Sequence, residues 1–365
     1  MKLNFPAIFT TKRRELNVTQ EQIANFIGVT KAAVSKWEKG QSYPDITLLP
    51  KLATYLNISI DELLGYEAQL TKEQQAKLYN ELATKFATHP FEEVVSEIEE
   101  LIQKYYSCFP FLLLMAQLYI NYSFIAPDKS AIYDKITRLC ERVIGQSFDH
   151  KLVTEANVYL AHISLMNQKP DEVLEILGPN VEIDYSTDLI RAHAWLMKND
   201  TLKANEIMQV KIYQSLLSVI HASSELLQFQ LDNPKIFDES VLRIKSLINT
   251  FNIEHLNFNA ALIFYLKAAT YYVLQNRLDD AVNLIEDYCR ACEKIEYPIE
   301  LKGDEYFDLL INWVENTITL GTQAPRDEQS IKKDLVNSIL ANPTFHVLND
   351  RKDYQECILR LQKLI

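Results

Sequence analysis

Apolar positions in the first 66 residues recur with a helical period in short runs, each closed by a capping or turn residue. Ile8, Phe9 and Leu16 mark a first amphipathic helix over residues 6–16, broken at Asn17-Val18. Thr19 is placed to cap the next helix, with Gln22 three residues on as its capping-box partner. That helix carries Ile23, Ala24 and Ile27 on one face and ends at Gly28. Thr30 caps a third helix running to Lys39, closed by Gly40. Asp45 opens a fourth, with Leu48, Leu49, Leu52, Ala53 and Leu56 on its stripe. Ser59 or Asp61 opens a fifth, which closes at Leu64-Gly65. Phe26 falls outside the Ile23/Ile27 stripe.

The pattern then changes. Residues 67–76 are polar and free of glycine and proline, which predicts a helical linker. Residues 77–365 read as long helices punctuated by prolines such as Pro90, Pro127, Pro170, Pro234 and Pro343. No β-alternating run of useful length occurs. Cys108–Ala126 is strongly apolar, but Pro110, Gln117 and Asn121 interrupt it, so a buried helix is expected there and not a membrane span. Within this body, Phe264–Lys294 shows Tyr265, Ala268, Ala269 and Tyr272 on one helix, an Asn276-Arg277 turn, and Ala281, Ile285 and Tyr288 on a second. Weaker copies run through Asn157, Leu160, Ala161, Ser164, Val173 and Leu177, and through Arg191, Ala192, Trp195 and Ala204. Val173, Ala204, Val241 and Ala281 are read as equivalent positions with drifting spacing, and about seven to nine helix pairs are expected.

Composition sharpens the division. Seven glycines in 365 residues suit helices, and three of them (Gly28, Gly40, Gly65) lie in the first 66. Those 66 residues carry eight Lys/Arg against six Asp/Glu, whereas the remainder carries 29 against 43. A net charge of +2 on the small head and -14 on the body confines any phosphate-binding surface to the head. Five cysteines, an odd number and widely spread, argue against a disulfide framework and for a reducing cytoplasm. The early Lys12, Arg13 and Arg14 leave no room for an apolar leader core, which fits the same compartment.

The head carries the most specific signal. Ala24 is small where two helices cross, and Gly28 sits at the bend between them. In the next helix Val34 and Trp37 face inward, and Lys31, Ser35 and Lys36 outward. With Thr19-Gln20, Ile27-Gly28-Val29, Ser35–Gly40, Pro44, Leu49, Ala53 and Asp61–Leu64, the segment resembles the phage-repressor-like (Xre-type, lambda-repressor-like) helix-turn-helix family. The resemblance implies a five-helix head that reads double-stranded DNA. Gln20 would meet a phosphate at a helix N-terminus. Lys31, Ala32, Ser35 and Lys36 would lie on the recognition face, lysine donating to guanine and Ala32 touching a thymine methyl. Lys39 and Lys51 are read as solvated or weak phosphate contacts. Arg13 and Glu38 would form an internal positioning pair, worth roughly 0–1 kcal/mol if partly exposed. Trp37, Ala24 and Gly28 would stabilise the head.

Other chemistry is thin. Cys289 and Cys292 form a CxxC within a helical stretch, without a second such pair for zinc, and are read as buried structural thiols. The sequence has no HExxH, GxGxxG, GxxxxGK[ST] or GxSxG, so no enzyme, metal or cofactor is expected. Asn157, Asn205, Asn257 and Asn259 are weighed as peptide-backbone partners against ordinary capping or solvated side chains.

The body pattern resembles the tetratricopeptide (TPR) repeat, an α-solenoid with a concave groove. Head and body together resemble the Rgg/PlcR/PrgX-like peptide-responsive regulators. That resemblance implies an all-α, cytoplasmic homodimer with two heads on a near-palindromic operator, half-sites about 10 bp or a multiple apart. It also implies a short signalling peptide in the groove as effector. A body that binds a protein partner, or only itself, is the alternative.

Overall fold

A computed structural model describes residues 4–66 and 69–364. Every named element among them is helical; the only β-type pairing among them is an isolated bridge between Glu300 and Gln323.

The head contains α1 (Phe5–Glu15), α2 (Gln20–Ile27), α3 (Lys31–Glu38), α4 (Leu49–Leu56) and α5 (Ile60–Leu64). Thr19 and Gln22 form the expected capping box, and Thr30 accepts from the Ala33 N–H at 3.2 Å. Gly28 ends α2 at φ 81°, a left-handed conformation that a side chain would strain. Asp45 caps a 3-10 turn (Ile46–Leu48) that feeds α4, so the fourth helix starts four residues later than its cap suggests. Eleven residues close the core, among them Phe5, Phe9, Ile23, Ala24, Val34, Trp37 and Leu52. Leu16, expected inside, is 46% exposed because α1 stops before it, and Phe5 takes the buried place instead.

The body comprises α6 (Lys72–Thr88), α7 (Phe91–Lys104), α8 (Phe109–Tyr122), α9 (Lys129–Gln146), α10 (His150–Met166), α11 (Pro170–Leu177), α12 (Thr187–Met197), α13 (Thr201–Leu226), α14 (Pro234–Thr250), α15 (Ile253–Leu256), α16 (Phe258–Leu274), α17 (Leu278–Glu293), α18 (Leu310–Thr317), α19 (Glu328–Leu340) and α20 (Lys352–Gln362). The helical linker expected over 67–76 is narrower. Gln69 and Leu70 are not helical, Thr71 caps α6, and Leu70 is already buried in the body; Glu67 and Ala68 lie outside the described residues. The apolar Cys108–Ala126 stretch becomes the buried α8, and no helix among the described residues is long and apolar enough to cross a membrane.

Three hairpins share one turn. Gln168, Asn199 and Asn276 adopt φ near 60° between α10 and α11, α12 and α13, and α16 and α17. In each, the next N–H bonds a carbonyl five residues back: Lys169 to Ser164, Asp200 to Trp195 and Arg277 to Tyr272, at 2.9–3.0 Å. Each hairpin also sets two residues 12 apart across the turn, Ala161/Val173, Ala192/Ala204 and Ala269/Ala281. All but Val173 are buried. Small side chains there let the paired helices approach closely. Val241 does not follow this rule. The 26-residue α13 passes through a 3-10 turn (Leu227–Gln230), and Asn233-Pro234 starts α14 afresh.

The body has two cores. One runs from Leu70 to Ile163 and takes in Leu320; the other runs from Val210 to Leu361. They are tied by the segment 315–327, here termed the strap, which crosses from the C-terminal half to α6 and α8. Lys72 donates to the Glu315 carbonyl, and the Asn80 amide donates to Gln323. Tyr79 donates to the Pro325 carbonyl at 2.8 Å, and Tyr122 accepts from the Asp327 N–H at 3.1 Å.

Candidate nucleic-acid interface and groove

The recognition face is built on a fixed inner face. Val34 and Trp37 of α3 are buried, and the Trp37 ring meets Phe9 edge-on at 6.4 Å. Helical spacing then turns Lys31, Ala32, Ser35 and Lys36 away from the core. Lys31, Ala32 and Lys36 are exposed and Ser35 half-buried. Lys39 is exposed at the C-cap of α3, at the far end from Lys31. Lys31 lies 3.7 Å from Glu21 with both side chains more than 60% exposed, a pair weak enough to yield to a phosphate.

Gln20 is held by a network. Arg13 Nε donates to Glu38 Oε1 at 2.5 Å, Nη2 to Oε2 at 3.3 Å, and Nη1 to the Val18 carbonyl at 2.7 Å. Gln20 Nε2 donates to Glu38 Oε2 at 2.7 Å. Its amide nitrogen carries a second hydrogen, left over for an external acceptor. Glu38 thus locks α1 to α3 and aims Gln20 at the N-terminus of α2. The family resemblance implies the Arg13–Glu38 pair, but nothing in the sequence signals that Gln20 joins it, because their spacing follows no local rule. Exposure of 15% and 9% makes the pair a mostly buried one, not the partly exposed pair expected.

Burial pushes the Glu38 carboxyl up, but hydrogen bonds from Arg13 and Gln20 and the charges of Arg13 and Arg14 outweigh it and hold the group below its usual range. A depressed folded value contributes stability that is present above the unfolded value of about 4.3 and is lost as pH falls through the folded one. Thermal melts of the intact chain should therefore show the head transition falling only in that acidic window. Glu38→Gln should weaken this dependence, leaving the share of Asp45, which hydrogen bonds from Thr47 also hold below its usual range; an unchanged acid profile in that variant would place the dependence elsewhere.

Residues 11–63 match the helix-turn-helix family. That segment is a helix-turn-helix domain. Over 70 residues the chain is 37% identical to the HTH-type transcriptional activator BcrR of Enterococcus faecalis, covering 18% of this chain and 34% of that protein. Over 54 residues it is 43% identical to the cryptic phage CTXphi transcriptional repressor RstR of Vibrio cholerae, covering 15% and 48%. The chain spans about a third to a half of the length of these curated relatives. Among solved structures, apo ComR of S. thermophilus aligns over 81% of this chain and 95% of that one, at 15% identity and a TM-score of 0.25. Apo ComR of Streptococcus vestibularis aligns over 88% and 99%, at 15% identity and 0.24.

Beyond the helix-turn-helix domain, the body forms a half-open cavity of about 610 Å³ between α8, the start of α16, α19 and the strap. This volume falls within the ~300–1,000 Å³ of ligand pockets. Its walls are mostly apolar, with Leu262, Leu266, Leu301, Leu320 and Leu335, and its polar groups include the amides of Gln117, Asn121, Asn257, Asn259 and Gln323 beside the charged Glu300, Arg326 and Asp334. Asn259 is exposed there. Asn257 is committed elsewhere: its carbonyl caps α16 at Ala260 (3.1 Å) and its amide donates to Tyr213 (3.1 Å). Asn157 and Asn205 lie outside the cavity. Arg326 closes one end, bonded to Asp334 at 2.5 Å with its guanidinium 4.5 Å from the Phe124 ring. The sequence could not reveal this cavity, because α8 lies some 130 to 220 residues from its other walls. Cys289 and Cys292 are buried in the second core, with burial pushing the Cys292 thiol up to about 12, as suits inert structural thiols.

Proposed function

We propose that the chain is a sequence-specific transcriptional regulator that reads double-stranded DNA through α3. The observation that carries this is the exposed Lys31/Ala32/Ser35/Lys36 face, rigidly backed by Trp37, inside a helix-turn-helix domain. Gln20 and the N-termini of α2 and α3 would set the register on phosphates, with Lys39 as an outer contact. A head of charge +2 gains little from counterion release alone, so two heads on one operator, in a homodimer, supply the affinity.

Lys36→Ala should lower operator affinity by about 1–3 kcal/mol and relax preference at one base pair. Anisotropy titrations against base-substituted operators read this directly. A loss equal across all sequences, with a reduced salt slope, would make Lys36 a phosphate contact instead.

The body is read as a TPR-like solenoid, on the strength of its three hairpins with a common turn. Its cavity has apolar walls for side chains and amides that can pair with a peptide backbone, which supports a short peptide as effector. Such a ligand shifts head placement only by its differential affinity for two arrangements, typically ~1–3 kcal/mol. Calorimetry with peptides encoded beside the gene tests it. Heat released by the parent chain and lost in Asn259→Ala supports the groove, and silence with every candidate favours a body that only pairs.

A further inference from the structure

We infer that the α11–α12 region is the face on which two copies of this chain pair. The inference rests on the paired-head reading above and supplies the surface that reading lacks. Of the large apolar side chains left exposed among the described residues, over a third fall within residues 165–202, about a tenth of the chain. Val181 is 100% exposed, Met197 87%, Tyr185 77%, Ile183 74% and Ile190 67%. Helix α11 buries no side chain and α12 buries only Ala192.

The cause lies in how the hairpins stack. A helical array buries each hairpin against the next. Here α11 packs on α10 and α12 on α13, but no comparable packing joins α11 to α12. Residues 178–186 separate them without helical structure, the first core ends at Ile163, and the second begins at Val210. The α11 and α12 faces of the two hairpins are therefore left uncovered.

Size selects a second copy as occupant. The exposed apolar side chains of this region amount to on the order of 1,000 Å². Pooled over the region, that area is comparable to the ~800 Å² per partner of a stable complex. Two open edges suit a two-fold axis, the α10–α11 edge of one copy on the α12–α13 edge of the other and the reverse. Bodies of charge -14 repel each other at long range. Within this face, however, Glu172 is paired with Lys169, Asp184 with Lys211 and Asp188 with Arg191. Those three carboxylates are already neutralised, and the exposed Asp171, Glu175 and Glu182 would sit at the rim of the contact.

Sedimentation equilibrium of the intact chain tests this, with an Ile190→Glu/Met197→Glu double variant and a Leu359→Glu control on α20. All three substituted residues are exposed, so circular dichroism should show unchanged folding. The parent and the control should be dimers, and the double variant should dissociate about 100-fold more readily or worse. Its binding to a two-half-site operator should fall in step, with half-site binding unchanged. A parent that is monomeric both free and on a two-half-site operator overturns this inference together with the paired-head reading. A monomer that pairs only on the operator, a dimer indifferent to the double substitution, or a dimer broken by Leu359→Glu overturns this interface and leaves paired heads intact.

Discussion

Trp37→Ala unfolds the head and leaves the body folded. Trp37 is 4% exposed and touches Phe9 in a core of only eleven residues. Truncating a buried aromatic of this size costs about 3–5 kcal/mol. A single small core rarely supplies more than ~3–5 kcal/mol in total, so nothing is left to hold α1–α5 together. The body cores share no residue with it. Calorimetry of the intact variant should lose one transition and keep the other, and limited proteolysis should release a stable fragment beginning near Leu70. Operator binding should vanish. Loss of both transitions would mean that head and body fold as one unit, against the separation of their cores.

Arg13→Met is the second large effect. The substitution leaves the Glu38 carboxylate without its ion-pair partner, with only Gln20 and the more distant charge of Arg14 to support it, and strips the Val18 carbonyl of its donor. The pair is part-buried, so its loss should cost more than the 0–1 kcal/mol of a surface pair and up to the roughly 3–5 kcal/mol of a fully buried one. The head should melt at a clearly lower temperature, and Gln20 should lose its fixed aim. In Arg13→Met/Glu38→Leu most of the stability should return, because the buried charge is gone, while operator affinity stays reduced. Stability that stays low in the double variant would show that Arg13 acts through packing of its stem instead of its charge.

The head was legible residue by residue because its signals are local. A cap at Thr19 or Thr30, a glycine at 28 and an inward Trp37 each act within one turn of chain, and the structure places each where the sequence does. The same holds for the Ala269/Ala281 hairpin, whose partners are 12 residues apart. What escaped was set by distance. Gln20 meets Glu38 only after α2 and α3 have folded together. The cavity exists only after residues near 120, 260, 300 and 330 converge. Val241 misled because an apolar residue at a plausible interval does not reveal that the preceding helix has run on to 26 residues. Leu16 misled in the opposite way, an apolar residue one step past its helix.

The strap has a consequence for synthesis. Helical arrays usually gain structure as each hairpin leaves the ribosome, since each needs only its neighbour. Here Tyr79 and Tyr122 wait for Pro325 and Asp327, partners made more than 200 residues later. At ~5–20 residues per second, that interval is about 10–50 s in which the first core lacks its last wall. During it the nascent chain displays surface that the finished protein hides. Translation speed and chaperone supply thus bear on the yield of this molecule more than on that of a simple stack of hairpins.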